Sequence, residues 1–316
     1  GGGGGSGVLK YIGVLTKLVN SPVLVADEKD IVGECGVDWA SLCASSGKIS
    51  LLMDLLAEVK AATQEKIVVV SNWTQTLDVI EKLCTEKEYS YLRLDGSTPV
   101  QKRQEYVDQF NSSNRHFLFL LSSKAGGVGL NLVGASRLVL FDIDWNPALD
   151  QQAMARVWRD GQRKEVKIYR FLTTGTIEEK IYQRQITKIG LSDALMDDKD
   201  AAAVNSFTAS ELRDLFTLDE RTACLTHELL RCRCQDTNGA ENEVPIGKQK
   251  QQVDTKMKLD SLNEWTHVPV PASPEEMSGL DDALRSVVSR NDGQCDGTVS
   301  FVFHRTVQSA DEGRTA

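Results

Sequence analysis

Two arginines and a glutamine have a spacing that could bind an anion. Gln152, Arg156 and Arg159 stand at positions i, i+4 and i+7, which lie on one face of an α-helix. Two guanidinium groups on one face repel each other unless an anion lies between them, and their planar forks match phosphate oxygens. The spacing therefore predicts a nucleotide-phosphate site, with surface ion pairs to Asp150 and Asp160 as the structural alternative.

A glycine-rich segment at residues 122–131 has the sequence Ser-Ser-Lys-Ala-Gly-Gly-Val-Gly-Leu-Asn and follows a short apolar run. Glycines such as Gly127 and Gly129 let backbone N–H groups come close to a bound oxyanion, and Lys124 adds a positive charge. A plain structural turn can have the same composition. The segment is a second candidate contact for phosphate.

A short stretch that bears cysteine and histidine offers ligands for a metal ion. His227, Cys232 and Cys234 supply the imidazole and thiolate donors of tetrahedral zinc, and His267 or Cys224 could complete the set. The C-x-C spacing is tighter than the spacing usual in zinc sites. Buried free thiols with a solvated histidine are the alternative interpretation.

These groups need elements to position them, and from residue 48 to 190 the chain alternates apolar runs with amphipathic segments. Runs rich in β-branched residues predict strands at 66–71, 89–94, 117–121, 136–141 and 166–171. Helical spacing predicts helices at 49–60, 76–84, 98–110, 146–158 and 176–189, the last three opened by Thr98-Pro99, Asn146-Pro147 and a capping box from Thr176 to Glu179. The alternation predicts an α/β fold, a parallel sheet with helices on both faces.

In such a sheet, ligands bind beyond the carboxyl ends of the strands. The candidate site loops are therefore residues 71–74, 95–98, 122–129 and 142–147. The glycine-rich segment is one of these loops, and the predicted arginine-bearing helix begins at another.

The flanking segments predict smaller elements. We predict that residues 1–7 are a flexible lead. Residues 11–25 are predicted to form one amphipathic helix that is ended by Ser21-Pro22, and residues 26–47 are predicted to form a loop. We therefore divide the chain into four parts: a flexible lead with an entry helix at 1–25, a loop at 26–47, a lobe at 48–190 and a C-terminal extension at 191–316. Within the extension we predict a helix at 206–218, with Thr208 and Glu211 as its capping box, an irregular and partly disordered stretch at 235–300, and a strand at 299–304.

Composition narrows the class of protein. With 41% hydrophobic and 26% charged residues the chain is of globular type, and no apolar run reaches the roughly 20 residues of a membrane-spanning helix. Seven scattered cysteines and no secretory signal favour a reducing compartment. The net charge of −9 argues against a nucleic-acid partner, yet residues 155–188 hold nine basic and four acidic residues. This local excess of positive charge is typical either of a phosphate-binding face or of a solvated helix surface.

Six motifs occur in a fixed order, at residues 68–78, 93–98, 123–132, 141–147, 150–162 and 176–181. Together they resemble the second RecA-like lobe of Swi/Snf-type ATPases, in helicase superfamily two. Residues 11–24 resemble the segment before that lobe, where the family usually has Cys-Asn-His-Pro and this chain has Val19-Asn-Ser-Pro22. Segments 154–162, 206–216, 226–234 and 301–304 are similar to the recombination-repair branch, although Val268 follows His267 where that branch looks cysteine-containing.

The resemblance implies a role for each matching residue. Arg156 and Arg159 would be arginine fingers on ATP that is held, with Mg²⁺, mainly by a first lobe, and Gln152 would position the nucleotide or the attacking water. Gly127, Gly129 and Asp150 would belong to the nucleotide side of the lobe. The expected DNA-contacting residues are Ser71, Asn72, Trp73, Asp95, Gly96, Ser123 and Lys124. The branch also implies a structural zinc ion on His227, Cys232, Cys234 and His267.

The same resemblance implies the C-terminal lobe of a nuclear, ATP-driven double-stranded-DNA translocase that remodels DNA–protein complexes in homologous recombination. Its expected partners are duplex DNA, the first lobe and a recombinase filament, with no membrane. The best P-loop candidate, Ser46-Gly47-Lys48, is followed by Ile49 and has Leu42 in place of the first glycine. We therefore expect no ATP hydrolysis by this chain alone. A non-catalytic product that binds DNA or a recombinase, or a lobe of a nucleosome remodeller, is the alternative.

Overall fold

Five short apolar strands form the central sheet in the computed structural model, which describes residues 4–26, 38–125, 129–194, 208–230, 262, 265–290 and 299–306. They are β1 (Ile67–Ser71), β2 (Tyr91–Leu94), β3 (Leu118–Ser122), β4 (Arg137–Leu140) and β5 (Lys167–Arg170). All neighbouring strands are parallel, in the order β2-β3-β1-β4-β5, and the middle three are buried at every position. The predicted parallel sheet is confirmed, and its strands begin and end close to the predicted residues.

Helices cover both faces of this sheet. Those described are α1 (Gly4–Asn20), α2 (Trp39–Ala44), α3 (Gly47–Ala62), α4 (Thr74–Glu86), α5 (Val100–Ser112), α6 (Pro147–Met154), α7 (Ile177–Ala194), α8 (Ala209–Leu215), α9 (Leu225–Leu230) and α10 (Asp282–Arg290). Leu56 of α3 belongs to one apolar cluster with Val69, whereas Phe110 of α5 belongs to a second cluster with Val68. Consecutive strand residues point to opposite faces, so each cluster is the core on one side of the sheet.

The predicted helix starts are correct in part. Asn146 caps α6, since its side chain accepts from the Ala148 N–H at 3.1 Å. Thr98 is not a cap, because α5 begins after Pro99. The expected reciprocal box at α7 is also wrong: the Glu179 carboxylate accepts from the Gly175 N–H at 2.7 Å and not from the backbone of Thr176. Its second oxygen accepts from a backbone N–H in α9, so tertiary contacts decide its position.

The segments before the lobe are more helical than predicted. Helix α1 begins at Gly4, inside the expected flexible lead, and ends at Asn20. A separate 3-10 turn at Pro22–Val25 follows it, so one helix over 11–25 is wrong. The expected loop at 26–47 is wrong for α2, which Asp38 caps by accepting from the Ser41 N–H at 3.0 Å. Residues 27–37 lie outside the described part of the chain.

The C-terminal residues return to the lobe. Strands β6 (Thr266–Pro269) and β7 (Phe301–His304) form an antiparallel pair, which confirms the predicted final strand. The Arg137 Nη1 donates to Asp281 at 2.7 Å, and Ala283 of α10 lies in the core cluster with α3. The prediction that residues 235–300 are irregular is therefore wrong for residues 265–290. The predicted capping box of α8, formed by Thr208 and Glu211, is confirmed.

Two further observations bear on surfaces. Trp158 lies beyond the end of helix α6 and is 58% exposed. Among the described helices, none combines the length and the apolar character needed to cross a bilayer.

Gly175 provides a stability test, because it has a φ of +67° and an added Cβ would overlap the carbonyl oxygen of Asp219. Gly161 has a φ of +92° but open space around it, so it is a matched control. The left-handed backbone costs a side chain roughly 1–2 kcal/mol. We expect Gly175→Ala to lower the free energy of unfolding by about 1–3 kcal/mol more than Gly161→Ala, from strain and displacement. Urea denaturation measures both, and equal losses would contradict the overlap.

Candidate nucleic-acid interface and nucleotide-binding edge

A buried hydrogen-bond network lies at the carboxyl ends of β1 and β4. The Asn20 side-chain amide donates to Asp142 Oδ2 at 2.8 Å and to Thr76 Oγ1 at 3.1 Å. Asp142 also accepts from the Ser71 hydroxyl at 2.5 Å and from the Asn72 backbone N–H at 2.8 Å. One carboxylate therefore joins the end of α1 to the loop that follows β1.

The same network continues through a buried ion pair. Lys48 Nζ donates to Asn20 Oδ1 at 2.9 Å and to Glu178 Oε1 at 2.6 Å, and the two charged side chains are only 6% and 4% exposed. The other Glu178 oxygen accepts from the Thr173 N–H at 2.9 Å. Burial raises the pKa of Glu178, and the charge of Lys48 opposes that rise. Lys48, the lysine of the best P-loop candidate, therefore stabilises the fold.

Two predicted DNA-contacting loops lie side by side. The Ser123 hydroxyl donates to Asn72 Oδ1 at 2.5 Å, and the Ser123 N–H donates to the Ser71 carbonyl at 3.0 Å. Lys124 Nζ lies 5.9 Å from the centre of the Trp73 ring. Ser71 has no exposed surface and supports the loop from below, whereas Lys124 is exposed and the other three are half-buried. The structure brings these five predicted residues together.

The third predicted DNA loop follows β2. Asp95 is buried and accepts from the Ser97 hydroxyl at 2.6 Å and from Arg93 Nε at 2.8 Å. The hydrogen bond from Ser97 is the main cause that lowers the pKa of Asp95. Asp95 therefore holds the turn closed, and Gly96 and Ser97 beside it are exposed to solvent.

The arginine set has a different geometry from the predicted helical face. Helix α6 ends at Met154, so Arg156 and Arg159 lie in the turns that follow it, and only Gln152 is helical. Gln152 and Arg159 are exposed, while Arg156 is 9% exposed. Burial, and then the charge of Arg159, lower the pKa of Arg156. The predicted single helical face is therefore wrong.

Two other residues expected on the nucleotide side have clear positions. Asp150 is buried and accepts from the Asp144 N–H at 3.2 Å and from Gln185 Nε2 at 2.8 Å, so its carboxylate serves the fold. Burial raises its pKa. Gly129 has a φ of +107°, the left-handed backbone that favours glycine. Gly127 lies outside the described residues.

Two of the predicted metal ligands are close together. The His227 and His267 ring centres are 5.1 Å apart, close to the separation of two imidazoles on one tetrahedral zinc, about 5 Å for Zn–N bonds of ~2.0–2.1 Å. His267 Nε2 is 2.8 Å from the Leu262 carbonyl, the kind of partner that ligating histidines usually have. Burial lowers the pKa of His227, which favours the neutral form that binds metal.

The rest of the predicted zinc set has other positions. Cys232 and Cys234 lie outside the described residues. Cys224 donates to Glu179, and burial raises the pKa of its thiol, which makes it a poor ligand. Within the described residues no group of three or more His, Cys, Asp or Glu side chains could hold a metal ion. The two histidines fit zinc only in combination with the C-x-C pair.

Asn20, Asp142 and Lys48 are structural residues of this site that sequence reasoning missed. Asn20 and Asp142 both stand in the motifs that carry the family resemblance, two residues before Pro22 and three residues before Trp145. Their positions in those motifs were the available signal. Nothing in the sequence pairs residues that are 122 positions apart, as these two are.

The buried ion pair is open to a stability test. In Lys48→Met, the Glu178 carboxylate stays buried without its cation, so we expect a loss of about 3–5 kcal/mol in the free energy of unfolding at pH 8. The double variant Lys48→Met/Glu178→Leu should recover most of that loss. Lys60→Met changes an exposed lysine of the same helix whose Nζ lies 4.9 Å from the centre of the Phe117 ring, so it should cost no more than about 1 kcal/mol.

The pH dependence of this loss has a defined sign. Without Lys48, the folded pKa of Glu178 lies above the unfolded value of about 4.3, so stability falls as pH rises between those two values. The deficit of Lys48→Met should thus be smaller at pH 5 than at pH 8 in urea denaturation. A deficit that does not change with pH, with no recovery in the double variant, would show that the loss comes from packing.

Comparisons with known proteins agree with this geometry. Residues 47–161 match the family described as "Helicase conserved C-terminal domain". The chain is 45% identical over 290 residues to "DNA repair and recombination protein RAD54B" of Mus musculus, which covers 81% of this chain and 33% of that protein. It is 48% identical over 251 residues to "DNA repair and recombination protein RAD54" of Saccharomyces cerevisiae, covering 75% of this chain and 28% of the yeast protein.

A solved structure extends the comparison to the fold. "Sulfolobus solfataricus SWI2/SNF2 ATPase core in complex with dsDNA" is 25% identical, with a TM-score of 0.51, over 67% of this chain and 42% of that chain. The chain spans about a third of the length of the mouse relative and less than half of the archaeal core. On the motifs, the sheet and these similarities, the chain belongs to the Swi/Snf-type ATPases, as a C-terminal helicase lobe close to the RAD54 and RAD54B repair proteins.

Proposed function

We propose that this chain is the C-terminal motor lobe of an ATP-dependent double-stranded-DNA translocase that acts in homologous recombination and DNA repair. The observation that carries the proposal is the joining of the loops after β1 and β3 by the Ser123–Asn72 hydrogen bond of 2.5 Å. This bond holds the exposed amine of Lys124 and the half-buried ring of Trp73 on one surface. The names of the RAD54 relatives support the recombination setting.

The DNA contacts in this proposal are to the phosphate backbone. Lys124 supplies a positive charge, and the side-chain NH₂ of Asn72 is a donor of the kind that binds phosphate oxygens. Ser123 donates its hydroxyl proton to Asn72 Oδ1 and so orients that amide. Phosphate contacts carry no base information, so binding is independent of sequence and weakens as salt rises. The network beneath them fixes the loop after β1, because Asp142 accepts from both Ser71 and the Asn72 N–H, and the Ser123–Asn72 bond extends this order to the loop after β3.

The nucleotide contacts belong to the arginine segment. Arg159 is exposed, so its guanidinium group can reach a triphosphate that is held by a first lobe. Arg156 is buried, and the charge of Arg159 lowers its pKa, so an anion near both guanidinium groups would favour their charged forms. Mg²⁺ and the phosphate cradle would neutralise the developing charge and belong to the first lobe, so we propose that this chain alone does not hydrolyse ATP.

A direct backbone contact supports coupling between the two surfaces. The Leu132 N–H, just after the glycine-rich loop, donates to the Arg156 carbonyl at 2.9 Å. A shift of the arginine segment on lobe closure would therefore be passed to the loop that bears Lys124. In this scheme the partners are duplex DNA, the first lobe and a recombinase filament, in the nucleus.

The arginine assignment is tested with this chain joined to a first lobe. We expect ATP hydrolysis that duplex DNA stimulates, and a loss of about 10³-fold or more in kcat for Arg159→Ala, because a finger that stabilises transition-state charge contributes about 10³–10⁵. Arg163→Ala changes another exposed arginine four residues away and should keep the wild-type rate. Full activity in Arg159→Ala would move the finger to Arg156, and no hydrolysis by the wild-type protein would favour a non-catalytic DNA-binding lobe.

We further propose a structural zinc ion on His227, His267, Cys232 and Cys234. Metal analysis of the purified chain should give one zinc per molecule, and His227→Ala should lose it and lower the melting temperature. His116→Ala, a change in a partly buried histidine outside the proposed ligand set, should keep the metal. Zinc-free protein with wild-type stability would contradict the site.

A further inference from the structure

The Trp73 ring has two lysine ammonium groups close to it. Lys124 approaches from the loop after β3, and Lys17 approaches from helix α1, with its Nζ 5.3 Å from the ring centre. Neither lysine has a carboxylate within salt-bridge distance among the residues that the structure describes. An aromatic face attracts each cation, but two like charges around one ring repel each other. An anion between them would remove that repulsion.

The position of Lys17 is set by the fold. An added Cβ on Gly13 would lie 3.9 Å from the Trp73 Cη2 atom, so the helix backbone passes close to the indole. Gly13 and Lys17 stand at i and i+4, on one face of α1. Three residues after Lys17, Asn20 holds the end of this helix to Asp142. The helix and the Trp73 loop are therefore held by the same carboxylate.

A second lysine of α1 lies on nearly the same face of the helix as Lys17. Lys10 stands seven residues before Lys17, which places it on nearly the same face about 10.5 Å away along the axis. It is exposed. Lys10 and Lys17 thus stand on nearly one face of α1, and Lys17 and Lys124 are both close to the Trp73 ring. The chain as a whole has a net charge of −9, so this grouping stands against the average.

We propose that Lys17 binds a DNA phosphate, and that helix α1 extends the DNA-binding surface beyond the helicase domain that matches residues 47–161. The inference rests on the proposed function, since it assumes that the Trp73 loop faces duplex DNA. The ligand chemistry is a backbone phosphate of double-stranded DNA, recognised by charge and without base contacts.

The chain offers a matched control for a purely structural role. Lys82 Nζ lies 3.5 Å from the centre of the Trp39 ring, so it is also a lysine over an indole. It stands eight residues into α4, about 12 Å along the axis from the helix start and from the candidate DNA loop. If Lys17 only packs against Trp73, Lys17→Ala and Lys82→Ala should have the same kind of effect.

The experiment is a salt titration of binding to a fluorescently labelled duplex, followed by anisotropy, for wild type and four variants. In Lys17→Ala the slope of log K against log salt should fall in magnitude by about 0.9, the value for one phosphate contact. That corresponds to a Kd about 8-fold higher at 0.1 M salt. Lys124→Ala should behave alike, Lys17→Arg should keep the wild-type slope, and Lys82→Ala should not change it.

The other outcomes separate the two proposals. A wild-type slope in Lys17→Ala together with a reduced slope in Lys124→Ala would overturn the inference and leave the DNA function intact. Weaker binding in Lys17→Ala that comes with a lower melting temperature, and that Lys17→Arg does not restore, would also overturn it, as a structural effect. No salt-dependent binding by the wild-type chain would refute the proposed DNA function, and the inference with it.

Discussion

The side-chain amide of Asn20 joins a carboxylate and an ammonium group inside the protein. Its nitrogen donates to Asp142 at 2.8 Å and its oxygen accepts from Lys48 at 2.9 Å, with no exposed surface on Asn20 itself. Buried polar groups are costly when they lack partners, so each member of this network constrains the others. The end of α1, the loop after β1 and the start of α7 consequently have one relative arrangement.

This network explains how loops at the surface can have a fixed conformation. Loops are usually the least rigid part of an α/β fold, yet Ser71 and the Asn72 backbone are bound to a single buried carboxylate. Ser123 then bonds to the Asn72 side chain, so the order reaches the loop after β3. The contacts that we propose with a phosphate backbone are individually weak, so the side chains that make them need fixed positions. The network fixes these positions from below, without using the exposed groups.

The C-terminal residues reinforce the opposite end of the sheet. Arg137 begins β4 and is 3% exposed, and it pairs with Glu65 at 2.6 Å and with Asp281 at 2.7 Å. Tyr169 donates to the second Asp281 oxygen at 2.9 Å. Since one carboxylate from residue 281 satisfies groups on two strands, the segment that leads into α10 is part of the lobe and not an appendage.

The sequence by itself determined the strands, most helices and the parallel sheet, because apolar periodicity and caps such as Asn146 are local properties. It also determined which loops hold the candidate DNA residues, since parallel strands bring their carboxyl ends to one edge. Only the tertiary structure decided that Lys48 is a buried ion-pair partner. Contacts such as Asn20–Asp142, between residues 122 positions apart, leave no periodic trace in the chain, and their energy depends on burial that exists only after folding.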